Sequence, residues 1–196
     1  PRDISRWDLY SILIAVLFLA LQIARWRILP QFMDMYYHLL TAWGFLESGG
    51  YVGWDFWQYA PVGRPHIYPP FFHLLLAFLL KFGISASVLA KSFEVATPIV
   101  FLSAFWYFLR RNFNNKLAFF GLLAVGSSFS FYLSLINHIP ATIAFIFGLL
   151  AFDGLLRKKA IMAFVFLTLC FYTHIGISWF FGLSFLIFGA FHKEYR

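Results

Sequence analysis

Apolar residues in this chain come in long runs separated by short polar knots, and those runs set the predicted elements. A polar lead-in, PRDISRWD, offers Asp8 to the first free amides of a helix expected from Leu9 to about Leu29. From Asp34 to Ser48 the segment DMYYHLLTAWGFLES carries helical spacing at Tyr36, Leu39, Leu40, Trp43 and Leu46. Asp34 is placed to cap its start and Gly49-Gly50 to end it, so a helix is predicted along the membrane surface. Gly53 to His66 reads as irregular, because two glycines and two prolines interrupt it. Tyr68 to Phe82 opens on a Pro-Pro pair and is apolar for only about a dozen residues, short for a span. Further helices are expected at Ser92–Leu109, Leu117–Leu135 and Pro140–Leu156. The apolar stretch from Ile161 to Phe191 is too long for one simple span. Tyr172-Thr173-His174, followed by Gly176, predicts either two short helices or a broken one there.

Composition turns these runs into a membrane protein. The chain has 196 residues, is 62% hydrophobic and only 12% charged, and has a mean hydropathy of +0.77. The expected fold is all-α and polytopic, one domain with about five to six transmembrane helices and two juxtamembrane helices in the first external loop, residues 30–83. The net charge of +7 does not indicate nucleic acid, because basic residues alternate with apolar runs instead of massing on one face. If the Tyr68 segment does not cross, Arg2, Arg6, Arg110, Arg111, Lys116, Arg157, Lys158, Lys159, Lys193 and Arg196 fall inside, ten of the fifteen basic residues. Crossing by that segment would force the Arg110-Arg111-Lys116 loop outside, so the non-crossing topology is preferred. The first apolar run is too long for a signal segment. Cys170, the single cysteine, lies in an apolar run and reads as a small buried residue. Pro1 is not a start methionine, and the chain is expected to continue beyond its C-terminus.

Candidate chemistry gathers on the outer side. The insert from Pro30 to His73 holds three of the eight acidic residues and three of the six histidines. Asp34 follows the first membrane helix, where a carboxylate serves as a base, a metal ligand or a plain N-cap. His38 lies one turn later on the same face. Asp55 between Trp54 and Trp57 fits a sugar site in which the rings stack and the carboxylate orients a hydroxyl, or an aromatic anchor at the interface. Arg64 and His66 offer positive charge to a phosphate, unless Arg64 pairs with Asp55 or Glu47. Arg25 and Arg27 reach headgroups or meet a lipid phosphate. Lys91 and Glu94 are spaced for a mutual ion pair at the start of a helix, with lipid phosphate as the other use of Lys91. His73, one turn into an apolar helix, reads as a satisfied polar tip. Asn137-His138 and Thr173-His174 abut apolar helices and line a cavity or bond a neighbouring helix. No Walker loop, Gly-x-Ser-x-Gly or His-Glu-x-x-His is present in the sequence, which sets aside nucleotide hydrolysis, serine hydrolysis and zinc proteolysis.

Asp34 in MDMYYHLLTAW, the WDFWQYAP segment and the YPPFFHLLLA helix together resemble the first external loop of the GT-C superfamily of polytopic glycosyltransferases. Oligosaccharyltransferase catalytic subunits, protein mannosyltransferases and aminoarabinose transferases belong to it. YFLRRNFNNKLAFFGLLA, SLINHIPATIAF and FLTLCFYTHIGIS resemble its transmembrane module. The resemblance implies that Asp34 sits at the reaction centre as base or helps bind a divalent metal, Mg or Mn. It implies sugar transfer from a polyprenyl-phosphate-linked donor on the non-cytoplasmic side of a cell or endoplasmic-reticulum-type membrane, with membrane lipids as surroundings. The family's second outer loop usually supplies another acid, where this sequence reads Asn137-His138. That departure points to a metal-independent transferase or an inactive relative. The competing class is a non-catalytic subunit or lipid-binding transport protein reusing the module, working with a membrane protein partner or a remaining C-terminal region.

Overall fold

The computed structural model describes residues 4–30, 33–57 and 59–192; Arg2, Lys193 and Arg196, counted above on the inner side, lie outside the described residues. Helix α1 (Arg6–Ala24) starts with a capping box: Ser5 accepts from the Asp8 amide and the Asp8 carboxylate accepts from the Ser5 amide. The cap is therefore Ser5, and Asp8 sits in the first turn. The helix stops at Ala24, short of the expected Leu29, because the Arg25 side chain is drawn to Glu94 and Tyr132 while the chain turns through Trp26 and Arg27. This helix buries Asp8, Ser11 and Gln22 and exposes Leu9, Ile12, Leu13, Val16 and Leu17. Polar inside and apolar outside is the pattern of a helix whose solvent is hydrocarbon.

Helices α2 (Met33–Glu47) and α3 (Phe71–Lys81) pack on each other. Their shared core joins Met35, Leu39, Ala42 and Phe45 to Phe72 and Leu76. Between them the stretch expected to be irregular contains a short antiparallel pair, β1 (Trp54–Asp55) with β2 (Arg64–Pro65), Trp54 opposite Pro65 and Asp55 opposite Arg64. Gly63 adopts a positive φ of 74° and lies under the Trp54 ring, where a Cβ would meet Nε1 at 2.2 Å. Only glycine lets the ribbon close on that indole.

Helix α4 (Ala86–Asn112) begins earlier than the expected Ser92, because Ser85 accepts from the Val88 amide and caps it. Lys91 and Glu94 therefore lie within the helix, not at its start. Glu94 pairs with Arg25 at 3.2 Å, across two helices, in place of the expected Lys91. The helix expected over Leu117–Leu135 is instead α5 (Asn115–Ser127) and α6 (Phe129–Asn137), bent by 82° at Ser128, whose hydroxyl accepts from the Phe131 amide and starts a new helix. After α7 (Ile139–Leu156), the long final run resolves into α8 (Ala160–Thr173) and α9 (Ile175–Phe191), broken at His174. At Gly154 a Cβ would stand 2.8 Å from the Ala163 backbone nitrogen, so α7 and α8 close only because that side chain is missing.

Among the described residues the architecture is all-helical apart from the ribbon of two two-residue strands. Three described helices, α1, α4 and α7, are long and apolar enough to cross a membrane, or four spans if bent α5–α6 counts as one; α8 and α9 are shorter apolar helices. Polar contacts gather at the two ends of α1. At its start, Asp8 meets Arg110 at 2.7 Å and Asn115 at 2.9 Å. On the neighbouring end of α7, buried Asp153 accepts from Asn112 at 2.9 Å with Arg111 and Arg157 nearby. At the far end of α1 are Arg25, Glu94 and Tyr132.

Candidate functional site

Asp34 stands in the first turn of α2; that helix and two chain breaks bring imidazoles towards it. His38 follows on the same helical face, with Nε2 3.4 Å from Asp34 Oδ2, as the four-residue spacing requires. The junction between α6 and α7 brings His138, whose Nδ1 is 3.9 Å from the same carboxylate oxygen. His174, at the break between α8 and α9, feels the charges of Asp34, His138 and His38. Asp34 is thus flanked by one imidazole with no solvent exposure, His38, and one that is half exposed, His138. The junction between α6 and α7 supplies a nitrogen base beside Asp34, where the family resemblance implied an acid.

Behind His38 the cluster continues inward. His38 Nδ1 lies 2.7 Å from His73 Nε2, and both rings are fully buried. The His66 ring stands 5.2 Å from that of His73, buried, with neither nitrogen hydrogen-bonded. Tyr68 packs its ring 5.0 Å from His38 and 6.1 Å from His174, tying the insert to the α8–α9 break. Five of the chain's six histidines, His38, His66, His73, His138 and His174, therefore share one region, drawn from five separate segments.

Burial sets the electrostatics. It holds His73 neutral, its pKa pushed down to about 2, with His38 and His66 adding to the effect. Burial also lowers His66, reinforced by Arg64 and His38 and opposed by Asp55. His174 is lowered by burial against the pull of Asp34. Burial raises the Tyr68 phenol well above its ordinary value, with Asp34 and Tyr37 adding to it, and raises Tyr37. These are neutral hydrogen-bonding groups at pH 7 around one partly exposed carboxylate.

Beside His138 and His174 opens an apolar cavity of about 400 Å³, lined also by Phe101, Phe131, Phe145 and Ile177. Compared with protein-family models, with curated proteins and with solved structures, the chain has no match.

The other residues singled out from sequence fall in different places. Trp57 is part of the α2–α3 core and lies over Gly44, where a Cβ would meet its ring at 2.0 Å; Trp54 is exposed and donates to the Val62 carbonyl at 3.0 Å. Asp55 is buried beside Tyr37, His66 and Arg64. Arg64 stacks on Tyr59, 3.8 Å from the ring centroid. His66 is buried, not presented at the surface as a phosphate contact would be. Arg25 is committed to Glu94 and Tyr132, Arg27 is exposed in the turn after α1, and Lys91 is half-buried in α4. Asn137 ends α6, next to His138.

Two participants were not legible beforehand. His73 is not a lone polar tip but the partner of His38, 35 positions away, and Tyr68 had no signal beyond its place before the Pro-Pro pair. A divalent metal does not fit the donors, because no three His, Cys, Asp or Glu side chains among the described residues converge as ligands. The chemistry available is proton transfer between a carboxylate and imidazoles at the rim of an apolar cleft.

Proposed function

We propose that this chain is the membrane module of a GT-C-like glycosyltransferase that moves a sugar from a polyprenyl-phosphate-linked donor to an acceptor on the non-cytoplasmic side. The observation that carries the reading is Asp34, beside His38 and His138, with His138 in turn lining an apolar cavity able to take part of a lipid chain. In this reading Asp34 accepts the proton of the acceptor hydroxyl, the acceptor oxygen bonds to the sugar's anomeric carbon, and the bond to the phosphate oxygen breaks with its electron pair. His138 and His174 line the cavity, where they donate hydrogen bonds to the leaving phosphate. No metal enters the step. With α8 and α9 as short spans beside α1, α4, bent α5–α6 and α7, the chain crosses about six times, which puts the Asp34 region outside.

The test uses purified protein in nanodiscs with a polyprenyl-phosphate sugar donor. Asp34→Asn is expected to lower transfer by at least about 100-fold, the scale of a lost general base. Wild-type transfer by that variant would end the base assignment. Mass spectrometry of retained lipids tests the donor class: a bound polyprenyl phosphate supports the transferase. Its absence, with a co-purifying membrane protein and no transfer, favours a non-catalytic subunit.

A further inference from the structure

The His38–His73 contact joins two fully buried rings at 2.7 Å through a nitrogen of each, so one ring must donate and the other accept. His38 has its other nitrogen 3.4 Å from the Asp34 carboxylate, facing it though off the line of a formed hydrogen bond. A lone pair aimed at a carboxylate at that distance is repulsive, whereas an N–H is attractive and tightens with a small ring rotation. An ionised Asp34 therefore selects the His38 tautomer with its proton on Nε2. Its Nδ1 is then an acceptor, and His73 must be the donor from Nε2. His73 Nδ1, buried without a hydrogen-bond partner, is left as a lone pair. An unfilled acceptor is the less costly vacancy, since a buried N–H without a partner is rarer than an under-used lone pair. Keeping both rings neutral also avoids burying a cation among the other imidazoles.

We propose that His38 and His73 are a tautomer-locked pair of positioning residues that hold the Asp34 carboxylate from its buried side. Asp34 selects the Nε2-protonated tautomer of His38, His73 donates to the Nδ1 lone pair that this leaves, and His38 so held fixes the orientation of Asp34. The carboxylate's other imidazole neighbour, His138, is half exposed and stands on the open side of Asp34. The pair's other titratable neighbours are Tyr37 on α2, Tyr68 and His66 from the insert, Asp55 and Arg64 on the ribbon behind His66, and His174 from the α8–α9 break. The role in transfer rests on Asp34 being the base; the tautomer assignment does not.

Both parts are tested on the full chain in nanodiscs with 15N-histidine, by long-range 1H–15N correlation at pH 8. The wild-type spectrum is expected to show His38 and His73 both neutral and protonated at Nε2. His73→Phe keeps a flat ring but removes the donor, and the His38 Nδ1 resonance is then expected to move towards that of an unbonded pyridine-type nitrogen. His73→Gln returns an amide N–H near the position of Nε2 and is expected to restore the hydrogen-bonded Nδ1 shift. Transfer should fall by about 100-fold in the Phe variant, the scale of a misplaced reacting group, and recover in the Gln variant. A proton on His38 Nδ1 in the wild type would overturn the pair, as would identical His38 spectra in the two variants. The wild-type spectrum decides the pair even if neither variant folds. Absence of transfer in the wild type, with the expected tautomers present, would count against the transferase reading and not against the pair.

Discussion

Removing the Asp8 carboxylate tests whether the two-ended polar frame holds the helices together. Asp8 is 2% exposed and accepts from the Ser5 amide at 2.9 Å, from Arg110 Nε at 2.7 Å and from Asn115 Nδ2 at 2.9 Å. Asp8→Ala removes the reciprocal half of a capping box, about 1 kcal/mol by the cost of a lost cap. It also removes charge-assisted hydrogen bonds to Arg110, about 2 kcal/mol after discounting because the guanidinium is partly exposed. The sum is about 3 kcal/mol. Denaturant titration in a fixed detergent, with a double-mutant cycle against Arg110→Ala, measures both the total and the coupling. A coupling of about 1–2 kcal/mol is expected, since residues in one network are not additive. Asp8→Asn, which keeps the shape and loses the charge, should fall between wild type and Asp8→Ala. Additivity of Asp8→Ala and Arg110→Ala to within about 0.5 kcal/mol would show that this end of α1 is not held by the pair.

Other consequences follow from close approaches and buried titrating groups. Gly154→Leu must push the Ala163 backbone away and is expected to cost about 1–3 kcal/mol in the same titration, whereas Gly189→Ala, with nothing within 4 Å of its Cβ, should be close to neutral. Gly44→Val displaces the Trp57 ring from the α2–α3 core and should raise protease cleavage between α2 and α3 several-fold; an unchanged cleavage rate would mean that Trp57 does not anchor the insert. His73 has its pKa lowered on folding, so its share of stability is present above the unfolded value and is lost as pH falls from about 6.5 towards 2. Between pH 6.5 and 5 that share amounts to about 2 kcal/mol, and His73→Phe should flatten the pH dependence of unfolding in that window; an unchanged pH slope would refute it.

The sequence by itself determined the all-helical class, the apolar runs and the helical face that puts His38 beside Asp34, because these depend on composition and on a period of 3.6 residues. It also marked the break at His174, where a polar triplet interrupts an apolar stretch. It did not determine where helices end. Arg25 leaves α1 for Glu94 and Tyr132, and Ser85 and Ser128 start helices at places where hydropathy alone continues or pauses differently. The Lys91–Glu94 spacing predicted a local pair, yet a buried carboxylate on one helix found a cation from another, a choice made by packing and desolvation. Only the tertiary structure brought His73 onto His38 and His138 onto Asp34. Those contacts join segments 35 and about 100 positions apart, and no local period carries information over such separations. The carboxylate was readable as a candidate from its place after the first membrane helix; the imidazoles around it became a site through the folding of five segments into one end of the bundle.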